Sequence, residues 1–283
     1  MTSYDIASAE AKAAIFVDEI GIALGIYGDF RLKTAYRPIF ALSGEALHPV
    51  AVEGLVKPYR NGTPFAPARQ FSEVAPGDAM LMEAVCRALH LRNHENIGVD
   101  GLDLFVNCDG LAKNDAMGAR RAVREMVDAL EEIYLDPGLV VCEFSEGAAS
   151  TELLLHIAGE MRRHGLRIAV SDCGAGHSGE RLAQVRPDVV RVDGAWFRAT
   201  AAKPETARLF APVVAGFHAL DAQVLVEGIE TVGQLEVALA GGADLVEGDL
   251  LAPATLAGAI FPEDPIPLAA LSNDGRKIIS LFG

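Results

Sequence analysis

The sequence has few of the features that mark secreted, membrane-bound or nucleic-acid-binding proteins. Its 4 cysteines contain no Cys-x-x-Cys pair, which argues against a disulfide scaffold or a zinc site and favours a reduced, cytoplasmic protein. Acidic residues outnumber basic ones by 39 to 24, and the net charge of -15 argues against a general nucleic-acid or membrane-surface binder. No apolar run approaches the roughly 18 residues of a membrane span, and the N-terminus lacks a basic-then-apolar signal peptide.

The sequence does contain a regular alternation of short apolar runs and longer amphipathic stretches. The strand candidates are Tyr36–Leu42, Pro49–Val56, Leu102–Asn107, Leu139–Phe144, Arg167–Ser171, Asp188–Val192, Gln223–Val226 and Leu245–Leu251. The helix candidates between them are Asp78–Arg92, Asp115–Tyr134, Ser150–His164, Glu205–Leu220 and Thr231–Ala240. This alternation indicates βαβ units, and eight strands are the number that a closed (β/α)8 barrel needs.

The first two strand candidates break this alternation. Only Ser43–Leu47 separates them, which is too short for a parallel crossover of a dozen or more residues. They should therefore pair antiparallel, and we predict a modified, TIM-like (β/α)8 barrel. The predicted organisation is an N-terminal helical extension over residues 1–30, a barrel domain over 31–254 and a C-terminal helical tail over 255–283.

Nearly every apolar run ends in a carboxylate or an amide. These residues are Glu53, Asn107, Glu143, Asp172, Asp193, Glu227 and Glu247. The carboxyl ends of barrel strands meet on one face, where such groups would repel one another unless cations neutralised them. Oxygen ligands of this kind suit Mg²⁺, Mn²⁺ or Ca²⁺, so the pattern predicts a divalent-metal site. The tripeptide Val-Glu-Gly also occurs at Val52–Gly54, Val226–Gly228 and Val246–Gly248.

A series of short motifs runs through the chain in a recognisable order. The motifs are YRPIFAL (Tyr36–Leu42), VEGL (Val52–Leu55), FVNCDG (Phe105–Gly110), CEFSE (Cys142–Glu146), SDCGAGHS (Ser171–Ser178), RPDVVRVD (Arg186–Asp193), VEGIET (Val226–Thr231) and EGDLLAP (Glu247–Pro253). From about Tyr36 to Pro253 this series resembles the EAL domain of bacterial cyclic di-GMP phosphodiesterases. The resemblance implies an EAL-type barrel and a role in cyclic di-GMP signal transduction.

The resemblance also implies a role for individual residues. Family members hold two divalent ions at the barrel mouth, where a metal-activated water attacks one phosphodiester of cyclic di-GMP. The implied metal ligands are Glu53, Asn107, Glu143, Asp172 and Asp193. The implied catalytic residues are Glu227, which would orient or deprotonate the water, Glu230 in support, and Arg191. The implied ligand-binding residues are Lys57, Glu247 and Asp249, and Glu146 would brace the loop that carries the second metal site.

The chain departs from the family pattern in the catalytic centre. Ser171 stands in place of an Asp that bridges both ions, and a neutral hydroxyl cannot do this. Arg191 stands in place of a Lys that touches the water, and arginine cannot act as a proton shuttle. Glu247 replaces a Gln, and Lys57 replaces an Arg whose fork grips a phosphate. Loss of a supporting group typically costs about 10–100-fold in activity, so we expect weak or no hydrolysis.

Three functions stay open on the sequence alone. The first is a degenerate EAL protein, catalytically weak or inactive, that acts as a cyclic di-GMP receptor or a protein-interaction regulator. The second is an active phosphodiesterase that produces linear pGpG, with Glu247 or Asp249 replacing the missing carboxylate. The third is a nucleotide-independent protein-binding module, against which the retained Glu53, Asn107 and Glu143 argue because a dead site would not need them.

The cofactor and the partners follow from the same resemblance. Mg²⁺ or Mn²⁺ is the implied cofactor if the site is still competent, and otherwise there is none. The implied partners are cyclic di-GMP, a protein and a second copy of the chain in a homodimer.

Overall fold

A computed structural model of the chain describes residues 10–66, 74–75, 78–174 and 179–272. Its strands are β1 (Ile15–Val17), β2 (Ala23–Tyr27), β3 (Phe30–Ser43), β4 (Ala46–Arg60), β5 (Thr63–Pro64), β6 (Asp103–Asn107), β7 (Val140–Ser145), β8 (Arg167–Cys173), β9 (Val189–Val192), β10 (Gln223–Val226), β11 (Leu245–Val246), β12 (Thr255–Leu256) and β13 (Ile266–Pro267). Its helices are α1 (Ala79–Arg92), α2 (Ala116–Glu132), α3 (Thr151–Arg163), α4 (Gly179–Val185), α5 (Gly194–Ala201), α6 (Pro204–Ala207), α7 (Phe210–His218), α8 (Val232–Ala240) and α9 (Leu268–Ser272). Within this described part, no helix is both long and apolar enough to cross a membrane.

Eight of the strands close into a barrel. Their order around it is β3, β11, β10, β9, β8, β7, β6 and β4, and β4 then pairs with β3. Strands β4 and β6–β11 run parallel to one another, whereas β3 is antiparallel to both of its neighbours. The prediction of a modified (β/α)8 barrel with an antiparallel first pair is confirmed. Only Gly44 and Glu45 separate β3 from β4, and this short turn permits no parallel connection.

Strands β3 and β4 are longer than predicted. Beyond the barrel they continue as a two-stranded ribbon, which we define as Phe30–Arg37 paired with Glu53–Arg60. Two other predicted elements are shorter. The eighth strand ends at Val246, and the predicted helix Glu205–Leu220 is divided into α6 and α7. Pro212 cannot donate a backbone hydrogen bond and is tolerated only in the first turn of a helix, so α7 starts just before it.

The predicted N-terminal helical extension is wrong over most of its described part. Residues 10–13 are helical, but β1 and β2 then form an antiparallel hairpin that pairs with β3. The turn between them is fixed by Asp18, whose carboxylate accepts hydrogen bonds from the backbone of Ile20 and Ile22 at 3.0 and 2.8 Å. Gly21 completes this turn with a φ of 89°, a conformation that glycine adopts without strain.

The predicted C-terminal helical tail also needs correction. Its described part contains two short strands, β12 against β3 and β13 against β4, and only the five residues of α9 are helical. The prolines at positions 253, 262, 265 and 267 explain this, because each removes a backbone donor and blocks a continuous helix. Residues 273–283 lie outside the described residues.

The barrel interior is filled by an apolar plug with one side chain from each of the eight strands. These are Ile39, Ala51, Phe105, Val141, Ala169, Val189, Leu225 and Leu245, all of them buried. A larger core separates the barrel from its helices and includes Ile157 and Met161 of α3. Because the plug fills the centre of the barrel, a ligand site has to lie above it, at the carboxyl ends of the strands.

Candidate functional site

A layer of polar side chains lies directly above the apolar plug. Side chains along a strand alternate between its two faces, so the residue two positions nearer the mouth shares the interior with the plug residue. This rule places eight residues in the layer: Arg37, Glu53, Asn107, Glu143, Ser171, Arg191, Glu227 and Glu247. The barrel mouth is therefore lined by four carboxylates and two guanidinium groups.

Arg191 is the centre of this layer. Its side chain is only 6% exposed and contacts four carboxylates that come from four different strands. Its Nε donates to Glu227 at 2.7 Å, and its Nη1 donates to Glu143 at 2.8 Å. Its Nη2 donates to Glu247 at 2.6 Å and lies 2.8 Å from a carboxylate oxygen of Glu53. All three nitrogens of the guanidinium are therefore engaged.

Burial and charge act against each other in this cluster. Burial alone would lower the pKa of Arg191, but the four carboxylates around it outweigh that effect and hold the pKa well above its ordinary value. Burial raises the pKa of Glu143 despite the neighbouring arginine. Burial, Glu53 and Glu227 together raise the pKa of Glu247 to about 8 against the opposing effect of Arg191. The buried Oε2 of Glu247 has no hydrogen-bond partner among the described residues.

Asp172 and Asp193 lie beside this cluster and do not contact Arg191 directly. Asp172 is exposed, has a left-handed φ of 60° and sits at the register shift between β8 and β9. Burial and the negative charges of Glu227, Asp109 and Asp193 raise the pKa of the Asp172 carboxyl. Asp193 caps α5, with its carboxylate accepting from the backbone of Trp196 at 2.7 Å.

Asn107 and Asp109 support the turn that follows β6. The side-chain oxygen of Asn107 accepts from the backbone of Asp109 at 3.1 Å. Asp109 in turn accepts from the backbone of Ser145 at 2.8 Å and from its hydroxyl group. Ser171 is buried, and its carbonyl accepts from the backbone of Glu146 at 3.2 Å. These contacts fix the ends of β6, β7 and β8 relative to one another.

The remaining predicted site residues are more scattered. Glu230 is exposed, and its carboxylate lies 3.6 Å from Nη1 of Arg198. Asp249 is exposed and pairs with Arg37 at 3.4 Å. Glu247, predicted as a ligand-binding residue, has no exposed surface and contacts Arg191. Of the motif Ser171–Ser178, residues 175–178 lie outside the described residues.

The three Val-Glu-Gly tripeptides have a common explanation. A Cβ atom on Gly54 would lie 2.7 Å from Cγ of His90, and one on Gly248 would lie 2.2 Å from the carbonyl oxygen of Ile229. Gly228 has a φ of 70° and faces Arg198. Each glycine thus lets another part of the chain approach the strand end that carries a mouth glutamate.

Gly54 provides a test of this explanation. Gly54→Ala is expected to lower the free energy of unfolding by about 1–3 kcal/mol, because the new methyl group overlaps the buried His90 ring. The measurement is urea denaturation followed by circular dichroism. In a His90→Ala background the same substitution should cost clearly less, because the overlapping ring is absent.

Gly147→Ala is the matched control, since a Cβ there meets no atom within 4 Å and the expected change stays within about 0.5 kcal/mol. An equal cost for Gly54→Ala in both backgrounds would show that His90 is not the reason for the glycine.

The fold and the acidic mouth place the chain among the TIM-like barrels, whose polar sites lie at the carboxyl ends of the strands. The comparison with known families is more specific, because residues 28–254 match the EAL domain. The chain belongs to the EAL domain family, and the resemblance noted in the sequence is confirmed.

The chain is similar to several curated proteins. It is 28% identical over 260 residues to the cyclic di-GMP phosphodiesterase NbdA of Pseudomonas aeruginosa. The matched region covers 87% of this chain and 30% of NbdA. It is 27% identical over 143 residues to the cyclic di-GMP phosphodiesterase RocR of the same organism. The matched region covers 48% of this chain and 36% of RocR. The chain thus spans about a third of the length of these two relatives.

Solved structures share the fold. The calcium and cyclic di-GMP complex of Klebsiella pneumoniae BlrP1 superposes with a TM-score of 0.69 at 22% identity, over 83% of this chain and 58% of that one. A standalone EAL protein from Vibrio cholerae O395, in its cyclic di-GMP bound form, gives a TM-score of 0.69 at 21% identity, over 84% of this chain and 97% of that one.

Three of the five predicted metal ligands, Glu53, Asn107 and Glu143, are engaged by other groups of the protein. Glu53 and Glu143 contact the guanidinium of Arg191, and the Asn107 oxygen accepts from a backbone amide. In the described part of the chain, no group of three or more histidine, cysteine, aspartate or glutamate residues is arranged to hold a metal ion. The structure brings Glu53, Glu143, Glu227 and Glu247 together around an arginine.

Sequence reasoning missed the central role of Arg191, which it treated as a substitute for a lysine. A signal was present, because Arg191 lies within the apolar run Val189–Val192 and a charge in such a run requires anionic partners. It also missed Asp109 and Arg198. Asp109 contacts Ser145 at the end of β7, and Arg198 contacts the Gly228 carbonyl after β10, and no local pattern indicates such contacts.

Proposed function

We propose that this EAL domain acts in cyclic di-GMP signalling by binding the nucleotide without hydrolysing it. The observation that carries the proposal is the salt-bridge cluster of Arg191. Two carboxylates that the family would use for an ion, Glu53 and Glu143, and the one it would use for the attacking water, Glu227, all contact this guanidinium. None of them is available for the chemistry that the family performs.

Glu227 illustrates why hydrolysis is not expected. Its Oε2 accepts from Arg191 at 2.7 Å, and its Oε1 accepts from the backbone of Gly194 at 3.0 Å. Both oxygens of Glu227 therefore accept from donors of the protein itself, so the carboxylate is held by the protein and not by an attacking water. Ser171, buried in the same layer, supplies a neutral hydroxyl where the family has a bridging carboxylate. A general base and a bridging anion are therefore both lacking from this arrangement.

The ribbon supports the binding half of the proposal. Lys57 lies directly opposite Lys33, and strand alternation puts Arg31 and Arg37 on the same face of the ribbon. Like charges directly opposite each other destabilise a strand pair, and an anion bound between them would remove that repulsion. This face of the ribbon adjoins the mouth layer at Glu53, and Lys57 lies about 13 Å further along the same strand.

Tyr59 adds an aromatic surface to this face. Its ring lies 5.0 Å from Nζ of Lys33, and its backbone pairs with Arg31. A nucleotide with two phosphates and two guanine bases matches a surface that offers both cations and an aromatic ring for stacking. Lys57, predicted from the sequence as a ligand contact, belongs to this surface.

The test is calorimetric titration of cyclic di-GMP into the protein, once with a chelator and once with Mn²⁺, followed by chromatography of the products. Saturable micromolar or tighter binding is expected under both conditions, with no linear pGpG formed. Lys57→Met should weaken binding about tenfold or more, because a charge-assisted hydrogen bond to a phosphate is lost. Lys203→Met, at an exposed position outside the ribbon, should leave the affinity unchanged.

Two outcomes would contradict the proposal. Steady production of pGpG that depends on metal and is abolished by Glu53→Ala would establish an active phosphodiesterase. Absence of binding at high protein concentration would leave a barrel that acts through protein contacts alone.

A further inference from the structure

Four carboxylates from four strands converge at the barrel mouth, and the group they surround is a side chain of the same protein. The four distances between Arg191 nitrogens and carboxylate oxygens are 2.6–2.8 Å. Glu53 comes from β4, Glu143 from β7, and Glu227 and Glu247 directly follow β10 and β11. A guanidinium stays charged at any ordinary pH and presents its five N–H donors in a planar fork.

Burial makes this arrangement strong as well as specific. The Arg191 side chain is 6% exposed, and the side chains of Glu53 and Glu143 are 17% and 14% exposed. Salt screens such pairs far less than it screens surface pairs. An arginine buried without anionic partners would be strongly unfavourable, so the glutamates are needed even where no metal is held.

The contact of Glu247 with Arg191 indicates that the carboxylates at the mouth suit an arginine in particular. Glu247 is fully buried, and its only polar contact to a side chain in the described part of the chain is with Nη2 of Arg191 at 2.6 Å. Arg191 and Glu247 are two of the positions where the chain departs from its family pattern, and they contact each other. A larger, forked cation is thus accompanied by one more carboxylate.

We infer that the Arg191 guanidinium is the resident cation of the barrel mouth, and that removing it would create a divalent-metal site from Glu53, Glu143 and Glu227. Arg191 and a divalent ion exclude each other at this place. This inference does not depend on whether the domain binds a nucleotide.

The exclusion has a geometric and an electrostatic cause. An ion such as Mg²⁺, Mn²⁺ or Ca²⁺ needs its oxygen ligands to converge at about 2.0–2.6 Å from one point. Here the oxygens of Glu53, Glu143 and Glu227 converge on three separate nitrogens of Arg191. A divalent ion would also lie against a buried positive charge, where the low dielectric strengthens the repulsion.

The test compares Arg191→Met with Arg167→Met by thermal denaturation and calorimetry, using Mn²⁺ alone as the probe. Arg191→Met should lower Tm by roughly 10 °C in chelator, because four carboxylates lose their counter-ion. With Mn²⁺ at a hundredfold excess over Kd, this variant should regain roughly 5–10 °C. Arg167 pairs with Asp103 at the opposite end of the barrel, so its variant should show no response to Mn²⁺.

The wild-type protein provides a second measurement that needs no substitution at Arg191. Its Tm should be the same in chelator and in Mn²⁺, and stabilisation by Mn²⁺ that Glu53→Gln abolishes would overturn the inference. If Arg191→Met does not fold, Arg191→Met with Glu247→Gln removes one repelling charge and keeps the three proposed ligands. A folded Arg191 variant that binds Mn²⁺ no better than Arg167→Met would equally overturn it.

Discussion

Combining Arg191→Lys, Ser171→Asp and Glu247→Gln in one chain is expected to raise metal-dependent hydrolysis of cyclic di-GMP at least about 100-fold. Lysine presents a single compact ammonium, so it cannot contact four carboxylates at once. Glutamine at position 247 removes the added anion, and aspartate at position 171 supplies a carboxylate in the mouth layer. Together these changes free Glu53, Glu143 and Glu227 from the fork that now holds them.

The single substitutions make this prediction specific. Ser171→Asp alone should give little gain, because Arg191 still contacts the carboxylates that a metal would need. The measurement is the initial rate of pGpG formation with Mn²⁺, with Tm recorded to show that each variant folds. A full gain from Ser171→Asp alone would mean that Arg191 is no obstacle and that the missing carboxylate is the entire defect.

Gly248→Ala is expected to destabilise the protein by about 3 kcal/mol or more. A methyl group there would lie 2.2 Å from the carbonyl oxygen and 2.3 Å from the nitrogen of Ile229. These atoms cannot move away easily, since the Ile229 nitrogen donates to the Glu247 carbonyl at 3.0 Å and its oxygen accepts from Leu250 at 3.1 Å. The overlap therefore involves backbone on both sides, whereas the Gly54 overlap involves a side chain.

Urea denaturation measures the Gly248→Ala effect directly. Gly159→Ala is the matched control, because Gly159 lies in α3 with no atom near its absent Cβ and alanine favours helix by up to about 1 kcal/mol. A loss below about 1 kcal/mol for Gly248→Ala would mean that the loop after β11 yields more easily than its hydrogen bonds suggest.

The parts of the fold that follow from period and length could be predicted from the sequence. The Gln223–Val226 strand was predicted to the residue, and Thr151–Arg163 lies within the predicted helix because its apolar stripe faces the core. The β1–β2 hairpin was missed because it depends on a side-chain turn at Asp18 and on pairing with β3. Strands β1 and β2 have only three and five residues, too few for a clear strand period in the sequence.

The mouth shows a different limit. Strand alternation could place Glu53, Glu143, Glu227 and Arg191 in one layer, but it gives no distance between side chains from strands up to 174 residues apart in sequence. The strand-end acids alone therefore predict a metal at the mouth. In the structure the Arg191 guanidinium lies among these acids, and its planar fork contacts four carboxylates at once, which a lysine ammonium could not do.

The pairing of Arg191 with Glu247 also restricts how this domain can change over evolutionary time. Loss of the arginine alone would leave four mutually repelling carboxylates, and breaking such a buried ion pair typically costs about 3–5 kcal/mol. A cost of that size is a large share of the stability of an ordinary domain. Exchange of the arginine for a divalent ion would therefore pass through a less stable protein unless the ion were bound as soon as the arginine was lost.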